Sequence, residues 1–397
     1  MFTRTSLASL TLLAVSANAT RNCSGSDAPL GIHRRSPNND NSVYPEVLVQ
    51  MFGWNWKSIA AECESFLGPA GVGFVQVNPP QEHLSGDQWW VDYQAVSYQL
   101  QSRRGSRSDF AEMVGRCKSV GVKVSVGVYI SNSGIGNAGT HFSHYNYPGL
   151  FSWNDFHHCG KTNNDDIQNW GDRDQIWNCE LVNLAESVYV QDKLAAFTND
   201  LLTLGVDGLR LDAAKHMHPD DIRAIMGKLS RRPLYVSQEI VDTEGSLAGI
   251  FRYPEALKAA FISDGIAGLR GIENRGWLPS NSANVFVTNH DQERGGSALT
   301  YKSGNTYTLA HVFMSYPYGT PTILSSYEFN DSNAGAPNGA YGTCNGAGGS
   351  NGWLCQHRWN AIAGMIRFYN QVGTADLNNW YKNPISKSDS DAEARVL

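Results

Sequence analysis

The sequence lacks the features that would direct it to a membrane, to a nucleic acid or to a cysteine-bound metal. Its candidate apolar run, Leu7–Val15, is too short to span a bilayer, and no other segment is long and apolar enough. The net charge of −6 and the pI of about 6.0 give no sign of nucleic-acid binding. None of the seven cysteines forms a CxxC pair, so we do not expect them to bind a metal. Internal repeats are also absent.

The N-terminus has the pattern of a secretory signal peptide. Arg4 supplies the positive end, Leu7–Val15 the apolar core and Ala17–Ala19 a small-residue cleavage site. This pattern predicts a secreted, extracellular protein. Asn22 and Asn330 each begin an acceptor triplet for N-glycosylation, which is a weak signal by itself.

Seven cysteines in an exported chain suggest disulfide bonds with one thiol left over. Two of the possible pairs would close polar or glycine-rich loops, and a third would join two predicted helices. These pairs are Cys159 with Cys179, Cys344 with Cys355, and Cys63 with Cys117. Cys23 is then left over.

Apolar segments that alternate with helical ones predict an α/β fold with a parallel sheet. We predict strands at Val47–Phe52, Gly73–Pro79, Val122–Ile130, Asp207–Ala213, Leu234–Ile240, Asn284–Asn289 and Pro321–Ser326, with a poorly defined sixth strand near Phe261–Gly268. The intervening helices are predicted at Ser58–Leu67, Ser108–Ser119, Val190–Leu204, Pro219–Leu229, Thr306–Met314 and His357–Tyr369. Eight such units in about 330 residues predict closure into a (β/α)8 TIM barrel.

A long polar segment follows the third predicted strand. Residues 131–188 are rich in Gly, Asn, Asp, His and Trp, and an unstructured loop of this length would be unusual in a compact domain. We therefore expect a small excursion domain there, between strand 3 and helix 3. It would divide a catalytic barrel into residues 20–130 and 189–380. A signal peptide at 1–19 and a polar tail at 381–397 complete the predicted organisation.

Acidic residues stand at the ends of three predicted strands. They are Asp212, Glu239 and Asp291. A charge at the end of a buried strand is costly unless it is paired or functional, and the strand ends of a barrel form its active site. Arg210 would point to the same face as Asp212 and keep that carboxylate ionised. An isolated pair of this kind is more often structural, but three acids in succession indicate one site.

With these residues in view, the chain resembles the α-amylase family of glycoside hydrolases, from about Val47 to Trp380. It is similar above all to secreted fungal and animal-type members. The segments that carry the resemblance are Gln50–Trp56, Gly68–Pro80, Trp89–Gln94, Phe156–Gly160, Gly208–His216, Gln238–Glu239 and Asn289–Asp291. The catalytic strand ends are the specific part of this pattern.

The resemblance implies a monomeric, endo-acting enzyme that hydrolyses internal α-1,4 bonds of starch, glycogen and malto-oligosaccharides with retention of configuration. Asp212 matches the nucleophile of the family. Glu239 matches the general acid/base, so its pKa is expected to be raised and its carboxyl to lie about 5–5.5 Å from that of Asp212. Asp291 matches a third carboxylate that holds sugar hydroxyls.

The resemblance also implies a set of substrate-binding residues. Trp89, Trp90 and Tyr93 match an aromatic platform with Gln94 beside it, Lys215 and His216 match the leaving-group side, and Arg210 and His290 match residues next to the catalytic carboxylates. Aromatic rings pack against the C–H faces of sugars without strict hydrogen-bond demands. Taken alone, the two tryptophans would more often pack in the core or at a rim.

The third strand departs from the family pattern. Gly127 stands where the family has an aspartate that helps to hold the arginine of the site, here Arg210, and the substrate-binding histidine that follows in the family is absent. Loss of these groups would weaken the positioning of the nucleophile. We therefore expect reduced activity, because a misplacement of about 1 Å can cost on the order of 10²-fold in rate.

The ion sites of the family are also altered. Calcium needs six to eight oxygen ligands, and the candidates left in this sequence are Asn132 and the backbone carbonyl of His216, with Glu186 as a further possibility. We expect weak calcium binding at most. Thr322 stands near the position of an arginine that chloride-dependent members use, so chloride activation is not expected. No counterpart of the family's C-terminal β domain is recognisable.

Two other functions are compatible with the same residues. A non-catalytic glucan-binding protein would keep the aromatic platform and bind starch without releasing reducing ends. An α-glucosidase or transglycosylase on the same scaffold would differ in its products, because exo-action releases glucose first from maltoheptaose.

Overall fold

The structure is a computed structural model that describes residues 47–128, 134–169, 171–179, 182, 187–240, 249–315 and 318–373. The predicted signal peptide and polar tail, Cys23, Asn132 and Glu186 lie outside the described residues. The strands are β1 Leu48–Met51, β2 Phe74–Val77, β3 Gln101–Ser102, β4 Gly105–Ser106, β5 Lys123–Val128, β6 Gly134–Ile135, β7 His141–Phe142, β8 Gly208–Leu211, β9 Tyr235–Gln238, β10 Asn284–Val285, β11 Thr320–Ser325, β12 Cys344–Asn345 and β13 Gly348–Gly349. The α-helices are α1 Trp56–Glu62, α2 Gly68–Ala70, α3 Arg107–Ser119, α4 Arg173–Asn178, α5 Val188–Thr203, α6 Pro219–Gly227, α7 Gly249–Ala259, α8 Gln292–Gly295, α9 Asn305–Met314 and α10 Asn360–Val372.

Seven strands form one parallel sheet in the order β10–β11–β1–β2–β5–β8–β9. Every residue of β1, β2 and β11 is buried, as expected for strands that are covered on both faces. The first strand pairs with both β2 and β11, which brings the two ends of the barrel sequence together. The sheet is thus a nearly closed (β/α)8 TIM barrel, and the predicted fold class is confirmed.

The predicted sixth strand is wrong. Phe261–Gly268 lies in a π-helical segment, Ala260–Asp264, that continues α7, and in the 3-10 segment Ile266–Leu269. Tyr253, Leu257 and Ala260 are buried at the i, i+4, i+7 spacing of a helix face. A short apolar run cannot be told from a helix by periodicity alone. Within the described residues, no strand lies between β9 and β10.

All three predicted disulfides are present. Cys63–Cys117 joins the π-helical segment after α1 to α3, and Cys159–Cys179 closes a loop of the excursion. Cys344–Cys355 closes the loop that carries β12 and β13. None of the described helices combines the length and the apolar character needed to cross a bilayer.

The excursion between β5 and α5 is attached to the barrel through a buried carboxylate. Glu82, in the loop after β2, accepts hydrogen bonds from the N–H groups of Ala138 and Thr140 at 3.2 and 3.0 Å. The hydroxyls of Thr140 and Ser97 donate to its second oxygen at 2.8 and 2.6 Å. The β6–β7 hairpin is therefore held against the barrel by protein groups.

A second buried cluster joins α1 to the segment that precedes α10. Glu62, at the end of α1, lies 2.7 Å from Nε2 of His357 and 2.6 Å from Nε of Arg358. Nδ1 of His357 lies 2.9 Å from Oγ of Ser325, which ends β11. These contacts connect α1, β11 and the segment before α10 at one place on the barrel.

Candidate active site

The three predicted acids lie at the carboxyl ends of barrel strands. Asp212 directly follows β8 and Glu239 directly follows β9. Because Leu211 pairs with Gln238 in the sheet, the next residues of the two strands are also neighbours. Asp291 lies beyond β10, immediately before α8. The fold therefore brings the acids to the same end of the barrel.

Arg210 connects the two central carboxylates. Its Nη1 donates to Asp212, and its Nη2 lies 2.8 Å from Oε1 of Glu239. Asp212 and Glu239 also hydrogen-bond to each other. One guanidinium therefore bonds to both side chains. The separation of about 5–5.5 Å expected for retention stays a prediction.

The two carboxyls titrate as a pair. Burial raises the pKa of Asp212, and the negative charge of Glu239 adds to the effect. Burial alone would raise the pKa of Glu239 as well, but Arg210, the hydrogen bond with Asp212 and the N–H of Ala213 lower it. The pKa of Glu239 is thus lowered in this geometry and not raised as expected, while that of Asp212 is raised. The pair still holds one proton near neutrality, as acid–base chemistry between two carboxyls requires.

A strained turn places the backbone beside Glu239. Ala213 has φ 49° and ψ 31°, a left-handed conformation that a residue with a Cβ adopts at a cost of roughly 1–2 kcal/mol. Its N–H donates to Oε2 of Glu239 at 3.0 Å. The N–H of Lys215 donates to the backbone carbonyl of Glu239 at 3.3 Å. The turn after Asp212 thus fixes Glu239 through two backbone contacts.

His290 is buried and neutral at pH 7. Burial, followed by the positive charge of Arg210, lowers its pKa well below the ordinary value. Nε2 of Gln50 donates to Nδ1 of His290 at 3.1 Å, so the ring proton is on Nε2, which lies 3.4 Å from Oδ2 of Asp291. Asn289 Oδ1 accepts the N–H of Asp291 at 3.1 Å. The Asp291 side chain is 44% exposed.

The predicted aromatic platform forms a wall beside His290. The Tyr93 ring stacks on the His290 ring with centroids 4.8 Å apart and planes 14° apart. The Trp89 ring meets His290 edge-on at 5.6 Å. Trp90 is 36% exposed and lies farther out, where its Nε1 donates to Asn333 at 3.3 Å. Two of the three rings therefore contact the acid cluster through His290.

The remaining predicted residues lie at the edges of the site. Lys215 and His216 belong to the 3-10 turn Ala214–His216 that follows Asp212, and burial lowers the pKa of His216. Gln94 ends the platform segment, and its backbone carbonyl accepts the N–H of Leu84 at 2.8 Å.

Of the predicted calcium ligands, the described residues contain His216 alone, and the calcium site stays a prediction. Asn132 lies outside them, and the group of three potential metal ligands found among them is Glu62, Cys344 and His357, far in sequence from His216. Cys344 is held in a disulfide, and the other two are hydrogen-bonded to each other. We therefore derive no step of the chemistry through calcium.

A polar cavity lies below the carboxylates, inside the barrel. Its described lining includes Gln50, Gln76, Arg210, Glu239, Asn289 and Thr322. Thr322 donates to Asn284 through its hydroxyl. Arg210 supplies the guanidinium in this described lining. The expectation that chloride does not activate the protein stays a prediction.

Sequence reasoning missed two residues that shape the site. Gln50 is a polar residue in the otherwise apolar strand β1, and that contrast could have identified it. Arg294 donates from Nη1 to the backbone carbonyl of His290 at 3.2 Å. Its guanidinium lies 5.3 Å from the Trp89 ring and 4.4 Å from the Phe329 ring. These rings come from distant parts of the chain, so no local sequence pattern predicts the contact.

No model of a protein family matches the sequence. The α-amylase of Streptomyces violaceus is 42% identical over 360 residues, which cover 85% of this chain and 62% of that protein. An α-amylase-related protein of Drosophila varians is 38% identical over 391 residues, which cover 85% of this chain and 76% of that protein. The chain thus spans 62% of the length of the bacterial relative.

A solved structure gives the same relationship in three dimensions. A mutant of α-amylase I from Eisenia fetida, in complex with maltohexaose, superimposes with a TM-score of 0.76 at 31% sequence identity. The match covers 85% of this chain and 80% of that chain. Together with the relatives and the acids at the strand ends, it shows that the chain belongs to the α-amylase family.

Proposed function

We propose that this protein is a secreted, endo-acting α-amylase that hydrolyses internal α-1,4 bonds of starch, glycogen and malto-oligosaccharides with retention. The observation that carries the proposal is the placement of Asp212 and Glu239 at adjacent strand ends, where Arg210 bonds to both carboxylates. Three disulfides and the N-terminal signal pattern support export.

The first step begins with the separation of the two carboxyls by the substrate. A glucan chain that enters between them would break their mutual hydrogen bond and leave Asp212 ionised beside Arg210. The shared proton then resides on Glu239, which donates it to the glycosidic oxygen as the bond to the anomeric carbon breaks. Asp212 attacks that carbon from the other face and forms a glycosyl ester.

The second step reverses the proton transfer. Glu239, now ionised, takes a proton from a water molecule that attacks the anomeric carbon and displaces Asp212. Two displacements at one carbon restore the original configuration. Asp291 and the Nε2–H of His290 are suited to hold sugar hydroxyls beside the reacting carbon, since they lie 3.4 Å apart and supply an acceptor and a donor.

The aromatic wall supports binding of an extended glucan. The solved relative from Eisenia fetida contains maltohexaose, a linear malto-oligosaccharide. The rings of Trp89 and Tyr93 border the acid cluster here, and Trp90 continues the wall outward. An open row of rings of this kind favours cleavage within a chain over removal of single end units.

A second candidate, glucan binding without turnover, is favoured by one observation. In the free protein Asp212 and Glu239 hydrogen-bond to each other, and burial raises the pKa of Asp212. Gly127 stands in register with Arg210 and offers it no carboxylate. If substrate fails to separate the pair, the aromatic wall would still bind glucan.

Release of reducing ends from soluble starch tests the proposal. We expect the purified chain to release them and Asp212→Asn to abolish the activity while keeping starch binding. A loss of viscosity that precedes most reducing-end release would support endo-action, and NMR of the first product would give its anomeric configuration. Retention on insoluble starch with no release by the wild-type chain would favour the binding protein.

A further inference from the structure

The aromatic wall stands on a buried ionic cluster. Its three rings belong to the 3-10 segment Trp89–Tyr93, and the same segment contains Asp92. The Asp92 side chain is 0% exposed, and it lies two residues after Trp90 and directly before Tyr93. A fully buried carboxylate is costly unless it is paired, so its partners decide how the segment is held.

Two consecutive arginines and one amide surround Asp92. Arg103 donates from Nε to Oδ1, and Arg104 donates from Nε to Oδ2 at 2.8 Å. Nδ2 of Asn78 donates to Oδ2 at 2.7 Å. Burial alone would raise the pKa of Asp92, but the two guanidinium groups hold it below the ordinary value. The carboxylate is therefore ionised and fully bonded.

Arg103 connects the cluster to the residues that precede the aromatic wall. Its Nη1 donates to the carbonyl of Gly86 and its Nη2 to the carbonyl of Gln88, both at 2.7 Å. Its Nε, Nη1 and Nη2 groups are thus directed at Asp92, Gly86 and Gln88. This arrangement fixes the start of the 3-10 segment as well as its middle.

Arg104 and Asn78 anchor the cluster to the barrel. Nη1 of Arg104 donates to the carbonyl of Gly53 at 2.6 Å, and the N–H of Gly53 donates to Oδ1 of Asn78 at 2.7 Å. Gly53 directly follows Phe52, whose ring lies 5.8 Å from Trp89 and 5.1 Å from His290. The cluster therefore ties the aromatic wall to the ends of β1 and β2.

We propose that Asp92 is a positioning residue that sets the aromatic wall against His290 and thereby determines the affinity for malto-oligosaccharides. The inference rests on the proposed function, since it assigns the wall to glucan binding. Asp92 does not touch the cleft and acts through Trp89 and Tyr93. Its loss should weaken ground-state binding more than it slows the chemical step, because the wall contacts sugar rings and not the reacting atoms.

Asp92→Asn is the informative variant. It preserves the shape of the side chain but leaves the buried guanidinium of Arg104 and the partly exposed one of Arg103 without their counter-charge. Arg103, whose side chain is 21% exposed, would turn toward solvent and release the carbonyls of Gly86 and Gln88. Asp200→Asn is the matched control, since Asp200 also pairs with an arginine but at an exposed site on α5.

Binding is best measured in an Asp212→Asn background, where turnover does not interfere. Titration with maltoheptaose, followed by tryptophan fluorescence, should give a Kd about tenfold higher for Asp92→Asn and unchanged for Asp200→Asn. In the otherwise wild-type chain, KM should rise by a similar factor while kcat changes less than threefold. Arg103→Lys, which keeps the charge but loses the carbonyl contacts, should give an intermediate Kd.

The outcomes separate the positioning role from a structural one and from the proposed activity. Unchanged Kd in folded Asp92→Asn, or a loss confined to kcat and thermal stability, would overturn the inference. If Asp92→Asn does not fold, an unchanged Kd in Arg103→Lys would overturn it instead. A wild-type chain that binds maltoheptaose without hydrolysing it refutes the proposed amylase activity, and the Kd comparison still decides the role of Asp92.

Discussion

Replacing Glu62 by glutamine should destabilise the fold by about 3 kcal/mol at pH 7. Burial alone would raise the pKa of Glu62, but hydrogen bonds from His357 and then Arg358 lower it from 4.5 to about 2. Each unit corresponds to about 1.36 kcal/mol, which gives roughly 3 kcal/mol of stabilisation by the ionised form. Removal of one partner from a buried ion pair costs a similar amount, about 3–5 kcal/mol.

The effect has a defined pH dependence. Because the folded pKa of Glu62 is lower than the unfolded one, its stabilisation is complete above the unfolded value of 4.5. It is lost as the pH falls through the window between 4.5 and about 2. At pH 3 roughly 1 kcal/mol should remain. The wild type and Glu62→Gln should therefore approach each other in stability as the solution becomes acidic.

Urea unfolding followed by tryptophan fluorescence measures the difference at each pH. Glu64→Gln is the matched control, since Glu64 pairs with Arg116 at the surface, where the two side chains are 42% and 34% exposed. The control should unfold close to the wild type at every pH. A Glu62→Gln protein as stable as the wild type at pH 7, or a difference that does not shrink toward pH 3, would refute the linkage argument.

Three further outcomes are expected. Gly127→Asp should give Arg210 a carboxylate in register on β5 and release the Asp212–Glu239 contact. The kcat on soluble starch should then rise by roughly tenfold to 10²-fold, and an unchanged kcat would contradict this. Activity should persist near neutral pH and fall on the alkaline side, since the pKa of the shared proton is raised; a pH–rate profile that falls in the ordinary carboxyl range would oppose it. Glu82→Gln should increase amide hydrogen exchange in the β6–β7 hairpin, and added calcium should not restore protection.

The barrel and its acids were predictable because their signals are local. Buried parallel strands are near-continuous apolar runs, and Asp212 and Glu239 each break such a run at its carboxyl end. Two disulfides were predictable from the loops that they close, and Cys63–Cys117 from the two predicted helices that it joins. The prediction of a strand after α7 was wrong because the helical face there depends on Tyr253 and Leu257, which precede the apolar run.

The fine geometry of the site was not predictable, because its causes are distant in sequence. Arg210 was expected to orient Asp212 alone, yet it also holds Glu239, which becomes its neighbour only through strand pairing. The Asp92 cluster draws on Asn78 and on the two arginines after residue 102. No spacing rule joins such groups, since each contact exists only after the barrel has formed.

The buried cluster around Glu62 also has a consequence for how the chain folds during its translation. Glu62 and His357 are separated by 295 residues, so a ribosome that adds about 5–20 residues per second needs roughly 15–60 s to deliver the partner. Throughout this time α1 has no partner for a carboxylate that must become buried, and β1 has no β11 to pair with. The edge of β1 therefore stays unpaired until β11, which ends at Ser325, has been synthesised. A chaperone that covers strand edges should bind this interval of synthesis and leave when α10 emerges.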